Sequence, residues 1–343
     1  MTILILGYYD RLNKNDNFYH FLFNKLFKNY TIKYENPYLI TEIPFNVNYL
    51  VCGGGELIND YFLAHINRLK QKYETMFNKK LIIYGISIES VYKNNLSNFN
   101  YIKIFDYIIT RSQEDYTIIK NILGSTYVKY LPDIVHTIRN YDKEFDKSFR
   151  LPLKKKIIAI FLLNDDKVLS LYDTYINNMC SVIKLLSCKY IFHLITYNST
   201  SRYLIDDTMQ LYNDIYNKLP SDIKNKVYIK NYTLSKLING FRNNLYRYGI
   251  CMRYHSHILC YLYYIPFVSL PLNENVINYM KEKNLEKFIE PLVYDKHYLF
   301  DYFKLIDKFN EMDKTYDKIY FNNIIKKKMI IILLVMDFHY LII

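Results

Sequence analysis

The sequence contains no tryptophan, and alanine occurs only at Ala64 and Ala159. Lysine, asparagine, isoleucine and tyrosine are used heavily instead, with 39 tyrosines in 343 residues. Such usage is typical of AT-rich coding and says little about chemistry. It also weakens any argument from the net charge of +12, because the coding bias alone supplies many of the lysines.

Several motifs that would indicate a specific chemistry are missing. The five cysteines form no CxxC pair, and no Cys/His spacing indicates a metal site, so no metal is expected. No GxSxG elbow, Walker P-loop or Rossmann glycine fingerprint is present. Most cysteines lie in apolar runs, which indicates buried free thiols in a reducing compartment and predicts a cytoplasmic protein.

Signals for export and membrane insertion are also missing. Residues 1–7 have no basic n-region and no cleavage site, so they are predicted to form a first strand. The apolar run that ends at Ile343 spans about 15 residues and is short for a membrane span. We expect this tail to pack on the protein body, with contact to a membrane surface as the alternative. No basic stripe interleaved with exposed aromatic residues stands out, so no nucleic-acid partner is expected.

Short apolar runs alternate with longer amphipathic stretches, a pattern typical of βα units and a mainly parallel sheet. Residues 142–156 are charged, contain Pro152 and lack apolar periodicity, which indicates a linker. The sequence therefore predicts an α/β protein with two Rossmann-like doubly wound domains that face a cleft. The predicted domains are residues 1–141 and 157–313, and residues 314–343 form the tail.

The same pattern predicts individual elements. The predicted strands are residues 3–6, 49–52, 81–86, 107–110, 127–131, 157–163, 190–195, 227–229, 248–252 and 267–270. The predicted helices are residues 18–28, 61–77, 113–123, 168–186, 203–218, 234–241, 255–264, 276–283 and 298–312.

Three consecutive glycines, Gly53, Gly54 and Gly55, follow a predicted strand and are expected to open a helix that includes Asp60. Glycine allows a tight turn and a close approach of backbone N–H groups to a ligand. The N-terminus of the following helix would favour an anion. A purely structural strand-to-helix turn explains the same glycines equally well.

Two further charged residues follow predicted strands. Arg111 precedes Ser112, and Ser112 with Asp115 three residues later resembles a capping box, which marks the start of a helix. Arg111 is predicted either to bind an anion or to pair with Glu114 or Asp115. Asp133 follows the next strand, where the alternatives are a contact to a sugar hydroxyl and a turn cap.

Arg253 and His255 carry the strongest chemical signal. They follow an apolar strand and precede a predicted helix, and open α/β sheets bind their ligands at such strand ends. Arginine supplies a permanent cation with a planar fork of donors, and histidine exchanges a proton near neutral pH. The pair suits an anionic substrate that gains or loses a proton. His257 is interpreted as a structural residue.

Four segments, taken in order, resemble the polysaccharide pyruvyl transferase family. They are the glycine segment with Asp60, the strand end at Gly85-Ile86, the segment from Asp106 through Arg111-Ser112 to Gly124, and Arg253-Tyr254-His255 followed by Pro266. The Arg-x-His segment is the most specific of the four. The resemblance extends over most of the chain, from Ile3 to Phe288.

This resemblance implies a GT-B-like fold and a transferase that moves a pyruvyl group from phosphoenolpyruvate onto a sugar or polysaccharide hydroxyl, with release of phosphate. Phosphoenolpyruvate would be the donor substrate, and no cofactor is implied. His255 would be the general acid and base, Arg253 would hold carboxylate or phosphate, and Arg111 would be a second anion contact. The three glycines and Asp60 would shape the acceptor side.

The chain departs from the family pattern at two places. The family's Asn-x-Gly-Asp segment is not evident near Asn13–Asn17, and its lysine after the Pro266 strand is absent around Asn275. Two alternatives therefore stay open. One is a GT-B glycosyltransferase that uses a nucleotide-sugar, and the other is a non-catalytic glycan-binding or structural protein.

Overall fold

The computed structural model describes residues 1–7, 14–72, 80–89, 92–93, 99–124, 127–144, 156–164, 172–196, 208–290, 307–309 and 311. The chain forms two compact units, one ending at Val135 and the other continuing from His136. The predicted tail and residues 145–155 of the predicted linker lie outside the described residues. The domain boundaries predicted from the sequence stay a prediction.

The first unit is built on a parallel sheet with the strand order β2-β1-β3-β5-β6-β7, and β4 pairs with β5. Its strands are β1 (Thr2–Leu6), β2 (Thr31–Glu35), β3 (Tyr49–Gly53), β4 (Glu56–Ile58), β5 (Lys80–Ile88), β6 (Tyr107–Thr110) and β7 (Val128–Tyr130). Its helices are α1 (Lys14–Leu26), α2 (Asp60–Lys72) and α3 (Gln113–Leu123), with a 3₁₀ helix at Phe99–Ile104. A second 3₁₀ helix, Ile134–Glu144, begins where this unit ends.

The second unit has a parallel sheet with the order β10-β9-β8-β11-β12. Its strands are β8 (Ile157–Phe161), β9 (Ile191–Ile195), β10 (Val227–Lys230), β11 (Tyr248–Cys251) and β12 (Phe267–Ser269). Its helices are α4 (Tyr172–Leu186), α5 (Thr208–Lys218), α6 (Ser221–Lys224), α7 (Leu234–Arg242), α8 (Tyr254–Leu262) and α9 (Glu274–Glu282), followed by a 3₁₀ helix at Glu286–Phe288. Among the described helices, none has the length and apolar character needed to cross a membrane.

The predicted α/β fold with parallel sheets is confirmed, and α3 has the bounds that the sequence predicted. Among the strands within the described residues, two were not predicted. β2 lies at the edge of its sheet, and its residues alternate between exposed and half-buried, so it has no apolar run. β4 is only three residues long, which leaves no period to recognise.

Each sheet has one topological switch point, where successive strands begin to be added on the opposite side. In the first sheet this point lies between β1 and β3, and in the second it lies between β8 and β11. Connections at the carboxyl ends of these strands diverge to opposite faces and leave a crevice that accepts ligands. The glycine segment follows β3 and Arg253 follows β11, so both lie at a switch point.

His257 fixes the junction between β11 and α8. Its fully buried ring has Nδ1 2.8 Å from the backbone oxygen of Arg253 and Nε2 2.8 Å from Oγ of Ser269. A carbonyl only accepts hydrogen bonds, so Nδ1 carries the proton and Nε2 accepts from the serine hydroxyl. Burial lowers the pKa of His257 to about 4, while the bond to the Arg253 carbonyl opposes the shift. The ring is therefore neutral at pH 7, in agreement with its structural interpretation.

His257 makes the stability of the protein depend on pH. Its pKa is about 4 in the folded chain and about 6.5 in an unfolded one, so the unfolded state binds the proton first as the pH falls. We expect the free energy of unfolding to decrease between pH 6.5 and pH 4, by about 3 kcal/mol from this residue. Urea denaturation at a series of pH values measures the slope, and His257→Gln should flatten it. Equal slopes for wild type and His257→Gln would contradict this role.

Candidate functional site

Arg253 bridges the two strands that flank the switch point of the second sheet. It is the N-cap residue of α8, with an extended backbone, and its side chain is 5% exposed. Its Nε donates a hydrogen bond to the backbone oxygen of Leu162 at 3.1 Å, and one terminal nitrogen donates to Oγ1 of Thr208 at 3.1 Å. Leu162 follows β8 and Thr208 begins α5. These two bonds set the direction of the guanidinium plane, and neither acceptor carries a charge.

Two buried tyrosines, Tyr175 and Tyr212, lie near Arg253. The hydroxyl of Tyr212 accepts a hydrogen bond from the backbone N–H of Leu162 at 2.9 Å and lies 3.0 Å from the backbone oxygens of Ile160 and Ile195. Burial raises the pKa of Tyr212 and of Tyr175, and the positive charge of Arg253 opposes both shifts. The carboxyl ends of β8 and β9 are thus tied together close to the guanidinium charge.

His255 lies in the first turn of α8, two residues after Arg253, and is 5% exposed. Its ring packs edge-to-face against that of Tyr254, with centroids 5.7 Å apart. The backbone oxygen of Arg253 accepts hydrogen bonds from the N–H and the hydroxyl of Ser256, in addition to the one from His257. This first turn is therefore rigid, and it fixes the spacing between the arginine and the histidine. The catalytic roles of Arg253 and His255 stay predictions.

Asn164 adds a polar group at the same switch point. It follows β8, is 6% exposed, and its Oδ1 accepts no hydrogen bond from the described residues. Buried amide oxygens are normally paired, so such an atom in a ligand crevice is an acceptor for a hydroxyl of a ligand or for water. The sequence contains no motif around Asn164, and this residue was not predicted.

In the first unit, the glycine segment does not open a helix directly. Gly53 ends β3, and Gly54 and Gly55 adopt φ values of +81° and +83°. The chain then forms β4 before α2 begins at Asp60, which is half-buried. The expected strand-to-helix turn is therefore wrong, because the chain first pairs with β5 along the sheet. The roles predicted for the three glycines and Asp60 in substrate binding stay predictions.

Three of the predicted site residues meet around Tyr19, a residue of α1. A Cβ atom at Gly54 would lie 2.8 Å from the ring of Tyr19, so only glycine allows this contact. The Tyr19 hydroxyl donates to Oδ2 of Asp133 at 2.7 Å. Arg111 donates to the Tyr19 hydroxyl at 2.8 Å, to Oδ2 of Asp133 at 3.0 Å and, through Nε, to Oγ of Ser87 at 2.6 Å. We call Tyr19, Gly54, Ser87, Arg111 and Asp133 the first-unit cluster.

Arg111 also lies 3.9 Å from a carboxylate oxygen of Glu56, which gives it a second acidic neighbour besides Asp133. Lys93 forms ion pairs with both Glu114 and Asp115, and the charge of Arg111 also acts on Asp115, where it opposes the rise in pKa that burial causes. Acidic neighbours reduce the positive potential that Arg111 offers to an anion. The cluster therefore favours a positioning role, and the predicted role of Arg111 as an anion contact stays a prediction.

Asp133 caps a turn with its other oxygen, since Oδ1 accepts from the backbone N–H of Val135 at 2.9 Å. The predicted contact of Asp133 to a sugar hydroxyl stays a prediction. The capping prediction for α3 is confirmed, because Oγ of Ser112 accepts from the N–H of Asp115 at 3.0 Å.

Glu89 supplies a carboxyl group beyond the end of β5. Asn59 donates to its Oε1 at 2.8 Å. Burial raises the pKa of Glu89, the hydrogen bond from Asn59 opposes this shift, and the negative charge of Glu56 adds to it. A carboxyl group of this kind keeps its proton to a higher pH than usual, as a general acid requires.

Comparison with solved structures finds distant matches. An α-glucosyltransferase in complex with UDP and a DNA 13-mer has 9% identity and a TM-score of 0.49, and the match covers 92% of this chain and 90% of that one. An Escherichia coli trehalose-6-phosphate protein bound to UDP-2-fluoro glucose has 11% identity and a TM-score of 0.48, with 93% and 96% covered. No curated protein matches the chain significantly.

The family comparison is more direct. The family model described as polysaccharide pyruvyl transferase matches residues 4–274, which is most of the chain. The matched range includes the first-unit cluster, Asn164, Arg253 and His255. The chain therefore belongs to the polysaccharide pyruvyl transferase family, whose members are transferases.

Proposed function

We propose that this protein transfers a pyruvyl group from phosphoenolpyruvate to hydroxyl groups of a sugar or polysaccharide, with release of phosphate. The observation that carries the proposal is the position of Arg253 at the switch point of the second sheet. Its guanidinium is oriented by hydrogen bonds to Leu162 and Thr208, and a planar fork suits a carboxylate or phosphate. We further propose that the reaction takes place in the cytoplasm, as the cysteine usage predicts.

The chemistry requires a proton donor and a cation close together. Protonated His255 gives a proton to the methylene carbon of phosphoenolpyruvate, so a C–H bond forms as the π bond of the C=C group breaks and the C–C single bond remains. The adjacent carbon becomes an oxocarbenium centre, and a sugar hydroxyl attacks it and loses its proton to His255. Phosphate then leaves with its C–O electron pair, and a second hydroxyl attacks the same carbon, closes the ketal and gives its proton to the departing phosphate. Arg253 holds the donor's negative charge throughout, which fixes the methylene carbon relative to the imidazole.

The first-unit cluster supports the acceptor half of this proposal. Tyr19 packs on Gly54 and shares Asp133 with Arg111, so the glycine turn after β3 is held in one conformation. We propose that Gly53, Gly54, Gly55 and Asp60 present backbone and carboxylate groups to the sugar. The ion pair between Arg111 and Asp133 holds Tyr19 in place, and Tyr19 packs on the glycine turn.

Arg253 and His255 should affect different kinetic constants. Arg253→Lys loses the planar fork and should raise KM for phosphoenolpyruvate by roughly tenfold to a hundredfold. His255→Gln removes the proton carrier and should lower kcat by roughly 10²- to 10⁴-fold with little change in KM. Phosphate release from phosphoenolpyruvate is measured with a panel of sugar acceptors, and His65→Gln serves as the control.

Two results would contradict these roles. Wild-type kcat in His255→Gln would remove this residue from proton transfer. If no acceptor gives phosphate release and the protein consumes a nucleotide-sugar, its activity is glycosyl transfer and not pyruvyl transfer.

The support role of Arg111 predicts a loss of stability. Arg111→Met leaves Asp133 buried without its cation and should lower the free energy of unfolding by about 3–5 kcal/mol. Arg68→Met, at an exposed position of α2, is the matched control and should change it by less than about 0.5 kcal/mol. Urea denaturation measures both variants. Equal stability of the two would show that the ion pair does not hold the cluster together.

A further inference from the structure

A basic pocket lies at the β10 edge of the second sheet, whereas Arg253 follows β11. The pocket starts where β8 and β9 begin and extends along β10 to Lys230, the last residue of that strand, and its volume is about 530 Å³. β9 and β8 lie between β10 and β11 in the sheet. Neighbouring strands are about 4.8 Å apart, so roughly 14 Å across the sheet separates the pocket from the reaction proposed above.

Four lysines line this pocket, namely Lys156, Lys189, Lys226 and Lys230, and none of the described residues that line it is acidic. Lys156 is the last residue of the run Lys154-Lys155-Lys156, which the sequence contains without an assigned role. Lys156 and Lys189 are exposed, and their ammonium groups form no ion pair within the described part of the chain. Like charges around a concave surface add their potentials and favour an anionic ligand.

Two of these lysines are held in place. Nζ of Lys226 donates to the backbone oxygen of Ser187 at 2.7 Å, and Nζ of Lys230 lies 4.9 Å from the ring centroid of Tyr228. Lys226, Tyr228 and Lys230 are spaced two residues apart at and along β10, so their side chains point to the same face. Part of the positive charge is therefore ordered before a ligand binds, which reduces the entropic cost of binding.

Tyr228 adds an apolar wall to the pocket. It is 44% exposed, and His193 packs edge-to-face against it at 5.9 Å. A tyrosine ring offers an apolar face together with a hydroxyl group. A sugar ring has the matching character, because its C–H groups form apolar patches and its hydroxyls form hydrogen bonds.

We propose that this pocket binds an acidic segment of the glycan acceptor, with carboxylate or sulfate groups on the lysines and a sugar ring against Tyr228. The proposal rests on the proposed function only for the glycan nature of the acceptor. A pocket of this volume suits a small ligand or one or two sugar units, whereas single-stranded nucleic acid occupies a groove along about four nucleotides or more. Binding here holds a long acceptor on the protein and raises its concentration near the reaction site.

The test measures binding of a short oligogalacturonate to the full chain by calorimetry, with a neutral maltooligosaccharide of equal length for comparison. Lys156→Gln with Lys189→Gln should weaken oligogalacturonate binding about tenfold, and added salt should reduce the difference. Lys236→Gln with Lys281→Gln removes the same charge at exposed positions outside the pocket and should leave binding within about twofold. No phosphoenolpyruvate is present, so failure of pyruvyl transfer and failure of this site give separate results.

Three outcomes would overturn the proposal. If both double variants lose affinity for oligogalacturonate equally, the binding depends on the net charge of the protein and not on this pocket. Equal affinity for the neutral oligosaccharide would show that the lysines do not select the ligand. Tighter binding of single-stranded DNA, of inorganic phosphate or of vesicles containing anionic lipid, lost in the same pocket variant, would assign the pocket to a different ligand.

Discussion

The structure of the candidate donor site depends on the hydrogen bond from Arg253 to the backbone of Leu162. This bond joins the ends of β8 and β11, the two strands that flank the switch point. An arginine buried to this degree costs free energy unless its donors are paired. The side chain of Arg253 is held by hydrogen bonds to the carbonyl of Leu162 and to Thr208. Its backbone oxygen is held by a hydrogen bond with the ring of His257. The two side-chain hydrogen bonds reduce the free-energy cost of burying the Arg253 cation and also fix the direction of its guanidinium group.

The two units use a buried arginine at the end of a parallel sheet in different ways. Arg111 donates to Asp133 and lies near Glu56, so the surroundings reduce its charge. The two hydrogen bonds described for Arg253 go to a carbonyl and a hydroxyl, which are uncharged. In the proposed function, Arg111 therefore has a support role, and anion binding is proposed for Arg253 because of its position at the switch point of the second sheet.

Much of the fold was predictable because both sheets are parallel and buried, so their strands appear as short apolar runs between helices. The exceptions have physical causes, since β2 lies at a sheet edge and β4 is too short to show a period. In the candidate site, Arg253 and His255 stood out because they follow a strand directly. Tyr19, Ser87 and Asn164 did not, because their importance comes from contacts across the fold and from burial. A sequence pattern records spacing along the chain and does not record such contacts.

The central claim is that the carbon skeleton of phosphoenolpyruvate ends on the acceptor sugar. Phosphoenolpyruvate labelled isotopically at its methylene carbon tests this claim most directly, with the acceptor isolated after the reaction and its spectrum recorded by NMR. We expect the label to appear as a methyl group on a ketal carbon joined to two sugar oxygens. Label that stays in phosphoenolpyruvate or appears only in free pyruvate, for every acceptor tried, would contradict it.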